Sequence, residues 1–189
     1  MNRELLKRIA PSLRALGFRG SGQNYRKTEG DFVFIINFQG SKWGDAFFVN
    51  LGAQPTFIPA EGDADLERLK EYQCILQARV GGDWPWNLCE AQFASLEQQI
   101  TSKQGAFFGH AQTLRTALAV DSPDSLLARF SAGNTKARAA LHLARAAVRL
   151  GHLVTARGLV ERGFELAGDR ATLLLADLQR VRDETAAYR

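Results

Sequence analysis

The sequence contains few of the residues that build disulfide scaffolds, collagen-like repeats or disordered chains. Two cysteines, five prolines and 17 glycines occur among 189 residues, of which 46% are hydrophobic and 23% charged. These values are typical of a globular protein with its own hydrophobic core. Cys74 and Cys89 form no CxxC pair and have no histidine nearby, so we expect two buried thiols rather than a disulfide or a metal site.

Long hydrophobic segments are also missing. The longest uninterrupted apolar run, Phe32 to Ile36, has five residues, whereas a helix that crosses a bilayer needs about 20. The first residues mix Arg3, Glu4 and Lys7 with apolar side chains and lack the apolar segment of a signal peptide. We therefore expect a cytoplasmic protein with no membrane partner.

The sequence also lacks the motifs of common catalytic sites. It has no phosphate-binding glycine loop, no His-Glu-x-x-His and no Gly-x-Ser-x-Gly. The three histidines, His110, His142 and His152, are remote in sequence from both cysteines, so no Cys/His nucleophile pair is indicated. The sequence favours a protein that is not an enzyme, and it predicts no cofactor and no metal ion.

Composition changes along the chain. Eleven of the twelve phenylalanines precede Arg138, whereas residues 135–187 are dominated by Ala, Leu and Arg. Residues 1–110 carry twelve basic and twelve acidic side chains, against twelve and eight in residues 111–189. We predict an α+β domain over residues 1–105 and an α-helical bundle over residues 106–189, packed on the first domain.

Within residues 1–105, the patterns predict an N-terminal helix on an antiparallel sheet of about four strands. Apolar residues recur at helical spacing from Leu5 to Leu16, and turn residues separate segments with period-two alternation. Strands are predicted at 18–27, 32–39, 46–52 and 74–80, and the sequence Gly81–Trp86 is expected to end the last one. One apolar face is expected to form the core, with Phe34, Ile36, Phe38, Phe47, Val49 and Leu51.

Helical spacing dominates from Glu90 to the end of the chain. Phe107, Phe108 and Gly109 indicate a joint between helices. The helix predicted before Gly151, paired with the segment from Leu150 to Asp169, is similar to one tetratricopeptide-type helical hairpin. Only one such unit is present, whereas a solenoid needs about three. We therefore predict a helical hairpin within a terminal bundle.

Several short motifs occur in an order that resembles a known family over about residues 1–100. They are Leu16-Gly-Phe18, Ile36-Asn-Phe-Gln39, Phe48-Val-Asn50 and Arg79-Val-Gly81 with Trp84-Pro-Trp86. This succession resembles the bacterial family of domain of unknown function 4304. The resemblance implies a fold and a bacterial cytoplasmic setting, and it transfers no catalytic role.

Polar side chains stand at strand positions that usually carry β-branched or aromatic residues. Asn37, Gln39 and Asn50 are predicted on neighbouring strands, and Arg79 on the fourth. One hypothesis is a recognition site of these residues with Arg26, rimmed by Trp84 and Trp86. The alternatives are an amide network that fixes strand register and a solvated sheet face.

A second candidate surface is basic. Between Ser125 and Val160 there are six basic residues and no acidic one. On a helical projection, four side chains form a stripe within about 60°: Arg138, His142, Arg145 and Arg149. The alternative is a solvated helix face without a specific partner.

Two functions follow from these surfaces. The sheet residues favour a non-catalytic protein- or peptide-binding module, with an adaptor or immunity-like role. The basic stripe favours nucleic-acid binding, although it carries no aromatic residue for base stacking and the net charge is only +4. We expect protein binding, with nucleic-acid binding as the alternative.

Overall fold

The computed structural model describes residues 3–60, 62 and 64–187. Five strands and seven α-helices are present in these ranges: α1 Arg3–Ala15, β1 Arg19–Ser21, β2 Asn24–Glu29, β3 Phe32–Gly40, β4 Ala46–Pro55, β5 Leu76–Pro85, α2 Glu90–Gln112, α3 Leu114–Val120, α4 Pro123–Phe130, α5 Lys136–Arg149, α6 Leu153–Leu166 and α7 Thr172–Ala187. A short 3-10 helix, Glu71–Gln73, lies between β4 and β5. The fold is α+β, as predicted.

The chain forms two compact units. The first lies within Met1–Thr56 and Ala60–His110, and the second within Phe57–Pro59 and Ala111–Arg189. The first unit contains the sheet with α1 and nearly all of α2, and the second contains the remaining helices.

The sheet is an antiparallel meander in the order β1-β2-β3-β4-β5. It has five strands instead of about four, because residues 18–27 fold into a hairpin of their own. Gly20, with a φ of 139°, permits this close pairing, since a Cβ there would lie 2.2 Å from the carbonyl oxygen of Asn24. Only glycine tolerates both that backbone conformation and that approach.

One face of the sheet is the main core of the first unit, and we call it the core face. All six predicted core side chains, from Phe34 to Leu51, are at most 1% exposed, which confirms that prediction. Helix α2 covers this face: the ring of Phe108 stacks on Phe34 with centroids 4.2 Å apart. Helix α1 joins α2 through the Arg8–Glu90 ion pair and buries Leu5, Ile9 and Leu13.

The opposite face of the sheet is divided, and we call it the outer face. Towards one end, Val33 and Ile35 form a small apolar cluster with Leu69 and Cys74 of the segment between β4 and β5. That segment lies directly against Gly52, where a Cβ would be 2.7 Å from the sulfur of Cys74. Towards the other end, the outer face carries the polar side chains of the candidate site.

Strand β5 continues beyond the predicted break at Gly81–Trp86. The ladder pairs Val49 with Val80 and Phe47 with Trp84, and its register shifts between these pairs. Gly81 has a φ of 65°, so the additional residues of β5 are accommodated as a bulge. The prediction failed because the glycines mark a bulge within the strand rather than its end.

Helix α2 is continuous through residues 105–109, so the predicted joint at Phe107–Gly109 is wrong. Phe108 anchors the helix in the core, with its ring 5.9 Å from that of Phe18. Gly109 has open space where a Cβ would stand. The aromatic pair before Gly109 therefore belongs to a continuous helix that packs on the core, and it does not mark a helix boundary.

The second unit is a set of helices packed around α5. Ten residues of α5 are buried, most of them alanines, so neighbouring helices approach closely. At Gly163 in α6, a Cβ would lie 2.6 Å from a side-chain carbon of Leu178 in α7. Within the described ranges, no helix has both the length and the apolar character to cross a membrane.

The two cysteines differ in environment. Cys74 is buried whereas Cys89 is exposed, and both are free thiols; the expectation of two buried thiols is therefore wrong for Cys89. Burial raises the pKa of the Cys74 thiol, and the nearby Glu71 carboxylate raises it further. The Cys74 thiol stays protonated and, as a weak nucleophile, unreactive.

We expect an Ellman-type thiol reagent to modify one cysteine of the native protein rapidly and two in denaturant. The Cys89→Ser variant is expected to lose the rapid phase, because Cys74 reacts only when its covering segment opens. Absorbance of the released thiolate measures both phases. Rapid modification of native Cys89→Ser would contradict the buried position of Cys74.

Candidate functional site

The strand register aligns four polar side chains across the outer face. Asn24 of β2 pairs with Asn37 of β3, Asn37 pairs with Asn50 of β4, and Asn50 pairs with Arg79 of β5. Directly paired residues in a sheet point to the same face. We call these four residues the polar row.

Hydrogen bonds connect the row to itself and to Gln39. The Asn37 amide donates to Oδ1 of Asn24 at 2.9 Å. The Asn50 amide donates to Oε1 of Gln39 at 2.8 Å, and Nε of Arg79 donates to Oδ1 of Asn50 at 3.1 Å. Each bond crosses between strands, so the amides help to fix the pairing of β2 through β5.

Burial separates the inner members of this group from the outer ones. Asn37 and Asn50 are each 9% exposed, whereas Gln39 and Arg79 are exposed. Oδ1 of Asn37 is buried with no hydrogen-bond partner among the described residues. The inner amides therefore lie within the hydrogen-bond network between the strands, and Gln39 and Arg79 are the exposed groups of this cluster.

The guanidinium of Arg79 is held in a defined orientation. Its Nε is bonded to Asn50, and its central carbon lies 4.3 Å from the centre of the Phe48 ring. No carboxylate of the described residues forms an ion pair with it. A planar guanidinium fixed on one edge and on one face presents its terminal N–H groups for a bidentate contact with a carboxylate or a phosphate.

Arg26 lies on the outer face but has a structural contact. Its Nε and one terminal nitrogen donate to the carbonyl oxygen of Leu69 at 3.0 and 2.8 Å. These bonds tie the segment before β5 onto the sheet. Arg26 therefore lies two residues from Asn24 along β2, outside the polar row, and it holds the segment that covers Val33 and Ile35.

The two tryptophans do not rim the polar row. Trp86 packs on Phe47, with ring centroids 4.5 Å apart, and Phe47 belongs to the core face. The indole N–H of Trp84 donates to the carbonyl oxygen of Val80 at 3.4 Å. Trp84 pairs with Phe47 in the ladder and therefore lies on the core-face side of the sheet. The contact with Phe47 places the Trp86 indole on the same side.

The structure does not present the predicted basic stripe as one solvent-facing surface. Arg138 and Arg149 are exposed, but His142 is only 3% exposed. Arg145 is half-buried and forms an ion pair with Asp177 of α7 at 3.0 Å. The stripe is interrupted because α5 is packed by neighbours on the side where these two side chains emerge.

Acidic side chains from outside the acid-free stretch pair with two of its cations. Arg129 pairs with Asp121, and Arg145 pairs with Asp177. These two arginines of the stretch therefore have a carboxylate partner.

The described part of the chain contains no cluster of side chains suited to a metal ion. No group of three or more His, Cys, Asp or Glu side chains there has the geometry to hold a metal ion. The groups that the polar row and its neighbours offer are amides, the guanidinium of Arg79 and the ring of Phe48. Such groups bind a partner by hydrogen bonds and charge.

Two members of the site escaped the sequence analysis. Asn24 joins the polar row only because residues 18–27 form a hairpin. Gly22, in the turn of that hairpin, was the sequence feature that could have predicted it. Phe48 was named only as part of a motif, and its stacking on Arg79 depends on the register of β5, which the sequence did not predict because of the bulge.

Comparison with known proteins gives one match. No curated protein and no solved structure matches the chain. The model of a family described as Domain of unknown function (DUF4304) matches residues 9–104, which include all five strands and most of α2. Since the match spans slightly more than half of the chain, the protein belongs to the DUF4304 family.

Proposed function

We propose that this protein is a non-catalytic protein-binding module whose outer sheet face binds a carboxylate-bearing segment of a partner protein. The observation that carries the proposal is the orientation of Arg79, whose guanidinium is bonded to Asn50 and stacked on Phe48. A group that is ordered before binding loses little side-chain entropy when the partner arrives.

The surroundings of Arg79 support a protein partner. Gln39 is exposed and has a side-chain amide that donates and accepts hydrogen bonds, as a peptide backbone requires. The half-buried Phe48 ring adds apolar contact area beside the charge. A guanidinium, an amide and an aromatic ring are the combination that recurs at protein interfaces.

The setting we propose is the cytoplasm of a bacterium, and the role is that of an adaptor or an immunity-like protein. The two free cysteines support a reducing compartment. The bacterial setting follows from the family resemblance.

A labelled nine-residue peptide of alternating Glu and Thr tests the proposal, with the same peptide carrying Gln in place of Glu as its neutral counterpart. We expect fluorescence anisotropy to show saturable binding of the acidic peptide and about tenfold weaker binding of the neutral one, a difference of ~1.4 kcal/mol. Arg79→Ala is expected to weaken binding of the acidic peptide by a similar factor. Arg79→Lys is expected to restore only part of it, because an ammonium lacks the planar fork.

The matched control is the double variant Arg138→Ala/Arg149→Ala, which removes two exposed cations from the second unit. It is expected to bind the acidic peptide like the wild type. Arg145 is left intact because of its ion pair with Asp177. Equal binding of both peptides, no binding of either, or an effect of the control as large as that of Arg79→Ala would refute the proposal.

A further inference from the structure

A second surface of the first unit carries a separate inference, independent of the polar row. A groove of about 490 Å³ lies between α1 and the β1–β2 hairpin. Its α1 side carries Arg3, Lys7 and Arg14, and its floor includes Leu6 and Ala10. A volume of this size falls in the range of small-molecule sites.

Helical spacing explains why the three cations share one side of the groove. Positions 3, 7 and 14 fall within about 40° on a helical projection, with 100° per residue. Leu6 and Ala10 lie next to them on the side turned to the sheet, and they are 3% and 6% exposed. The helix therefore presents a basic rim above an apolar floor.

The charge of the groove is of one sign. None of the described residues that line it is acidic. Lys7 is paired with the exposed Glu4 at 2.9 Å, whereas no carboxylate of the described residues pairs with Arg3 or Arg14. Two arginines without a countercharge beside an apolar surface favour an anion that also has an apolar part.

Tyr25 closes the floor from the sheet side. Its side chain is 1% exposed, and its ring meets Phe38 edge-on, with centroids 6.1 Å apart. Burial raises the pKa of the Tyr25 phenol, and Arg14 opposes this shift from close by. At neutral pH the phenol is protonated and is a hydrogen-bond donor.

We propose that this groove binds a small amphipathic anion. Arg3 and Arg14 lie about 16 Å apart along α1, at the two ends of the groove, so a carboxylate or a phosphate contacts one of them while an aliphatic or aromatic body rests on Leu6, Ala10 and Tyr25. The apolar floor supplies contact area and the arginines supply charge selectivity. An apolar floor alone would also bind a neutral aliphatic molecule, and arginines alone would also bind an inorganic anion. The two features together select an amphipathic anion.

Isothermal titration calorimetry of the full chain with four probes below their micellar concentrations tests the inference. Octanoate and octyl phosphate are expected to bind at one site, and their relative affinity distinguishes a carboxylate ligand from a phosphate ligand. 1-Octanol and inorganic phosphate are each expected to bind at least about tenfold more weakly. Backbone amide signals of Ser21 and Gly22 are expected to shift on addition of octanoate.

The double variant Arg3→Gln/Arg14→Gln is expected to bind octanoate about tenfold more weakly with an unchanged thermal transition. The matched control Arg138→Gln/Arg149→Gln is expected to bind octanoate like the wild type. Octanol binding as tight as that of the tighter anionic probe, unchanged binding of that probe by the double variant, or no binding of either octanoate or octyl phosphate at millimolar concentration would overturn the inference. Arg79→Ala is expected to leave octanoate binding unaltered, so this result and the peptide result are separable.

Discussion

The Phe34→Ala variant is expected to lower the free energy of unfolding of the first unit by about 3–5 kcal/mol. Phe34 is 1% exposed, and its ring lies between those of Phe32 and Phe108 with centroids 5.7 and 4.2 Å away. Truncation removes the apolar contacts and leaves a cavity at the point where α2 meets the sheet. Rigid strands on both sides of β3 limit how far that cavity can collapse.

Urea denaturation followed by tryptophan fluorescence measures this effect, because all three tryptophans belong to the first unit. The matched control is Trp43→Ala at the β3–β4 turn, where the indole is 84% exposed. It is expected to change the free energy by no more than about 0.5 kcal/mol. A Phe34→Ala midpoint equal to that of the control would mean that the core face is not the stabilising face of the sheet.

The strands and their core were predictable because period-two alternation is a local signal. Phe34, Ile36 and Phe38 alternate with residues of the outer face over a stretch longer than any competing helical pattern. The hairpin of β1 and β2 was missed because it carries one large apolar residue, Tyr25, between polar neighbours. Its formation depends on Gly20 and on pairing with β3, and neither of these produces a periodic pattern of apolar residues in the sequence.

The bulge in β5 and the continuous α2 were mispredicted for the same physical reason. Glycine is read as an end signal when only local conformation is considered, but tertiary packing decides whether a strand or helix continues. Pairing with Phe47 extends β5 past Gly81, and with Phe108 packed on Phe34, α2 continues past Gly109 to Gln112.

The spatial arrangement of the candidate residues was predicted in part. Asn37, Gln39, Asn50 and Arg79 come together because strand pairing in a simple meander follows from the turns. The tryptophans and the basic stripe failed because their positions depend on long-range partners: Phe47 for Trp86 and Asp177 for Arg145. Sequence periodicity assigns a face to a residue, whereas its exposure is decided by what packs on that face.

Replacing Gly52 with alanine is expected to lower the free energy of unfolding by about 1–3 kcal/mol, as overpacking does in a well-packed interior. A Cβ at position 52 would stand 2.7 Å from the sulfur of Cys74 and 3.0 Å from the Cα of Glu71. The second contact is with backbone, so the segment that covers Val33 and Ile35 must move away from the sheet. The matched control is Gly82→Ala in β5, where no atom lies within 4 Å of the added Cβ.

Two further measurements separate local displacement of the segment from general loss of stability. In the Cys89→Ser background, Gly52→Ala is expected to speed modification of Cys74 by a thiol reagent, whereas Gly82→Ala is expected to leave that rate unchanged. The double variant Gly52→Ala/Cys74→Ala is expected to recover part of the lost stability, because the sulfur is removed, and the coupling between neighbours in contact is typically about 0.5–3 kcal/mol. If the two substitutions add without coupling and Cys74 stays protected, the segment between β4 and β5 does not rest on Gly52. The cover over Val33 and Ile35 would then depend on other contacts, such as the hydrogen bonds from Arg26 to the carbonyl oxygen of Leu69.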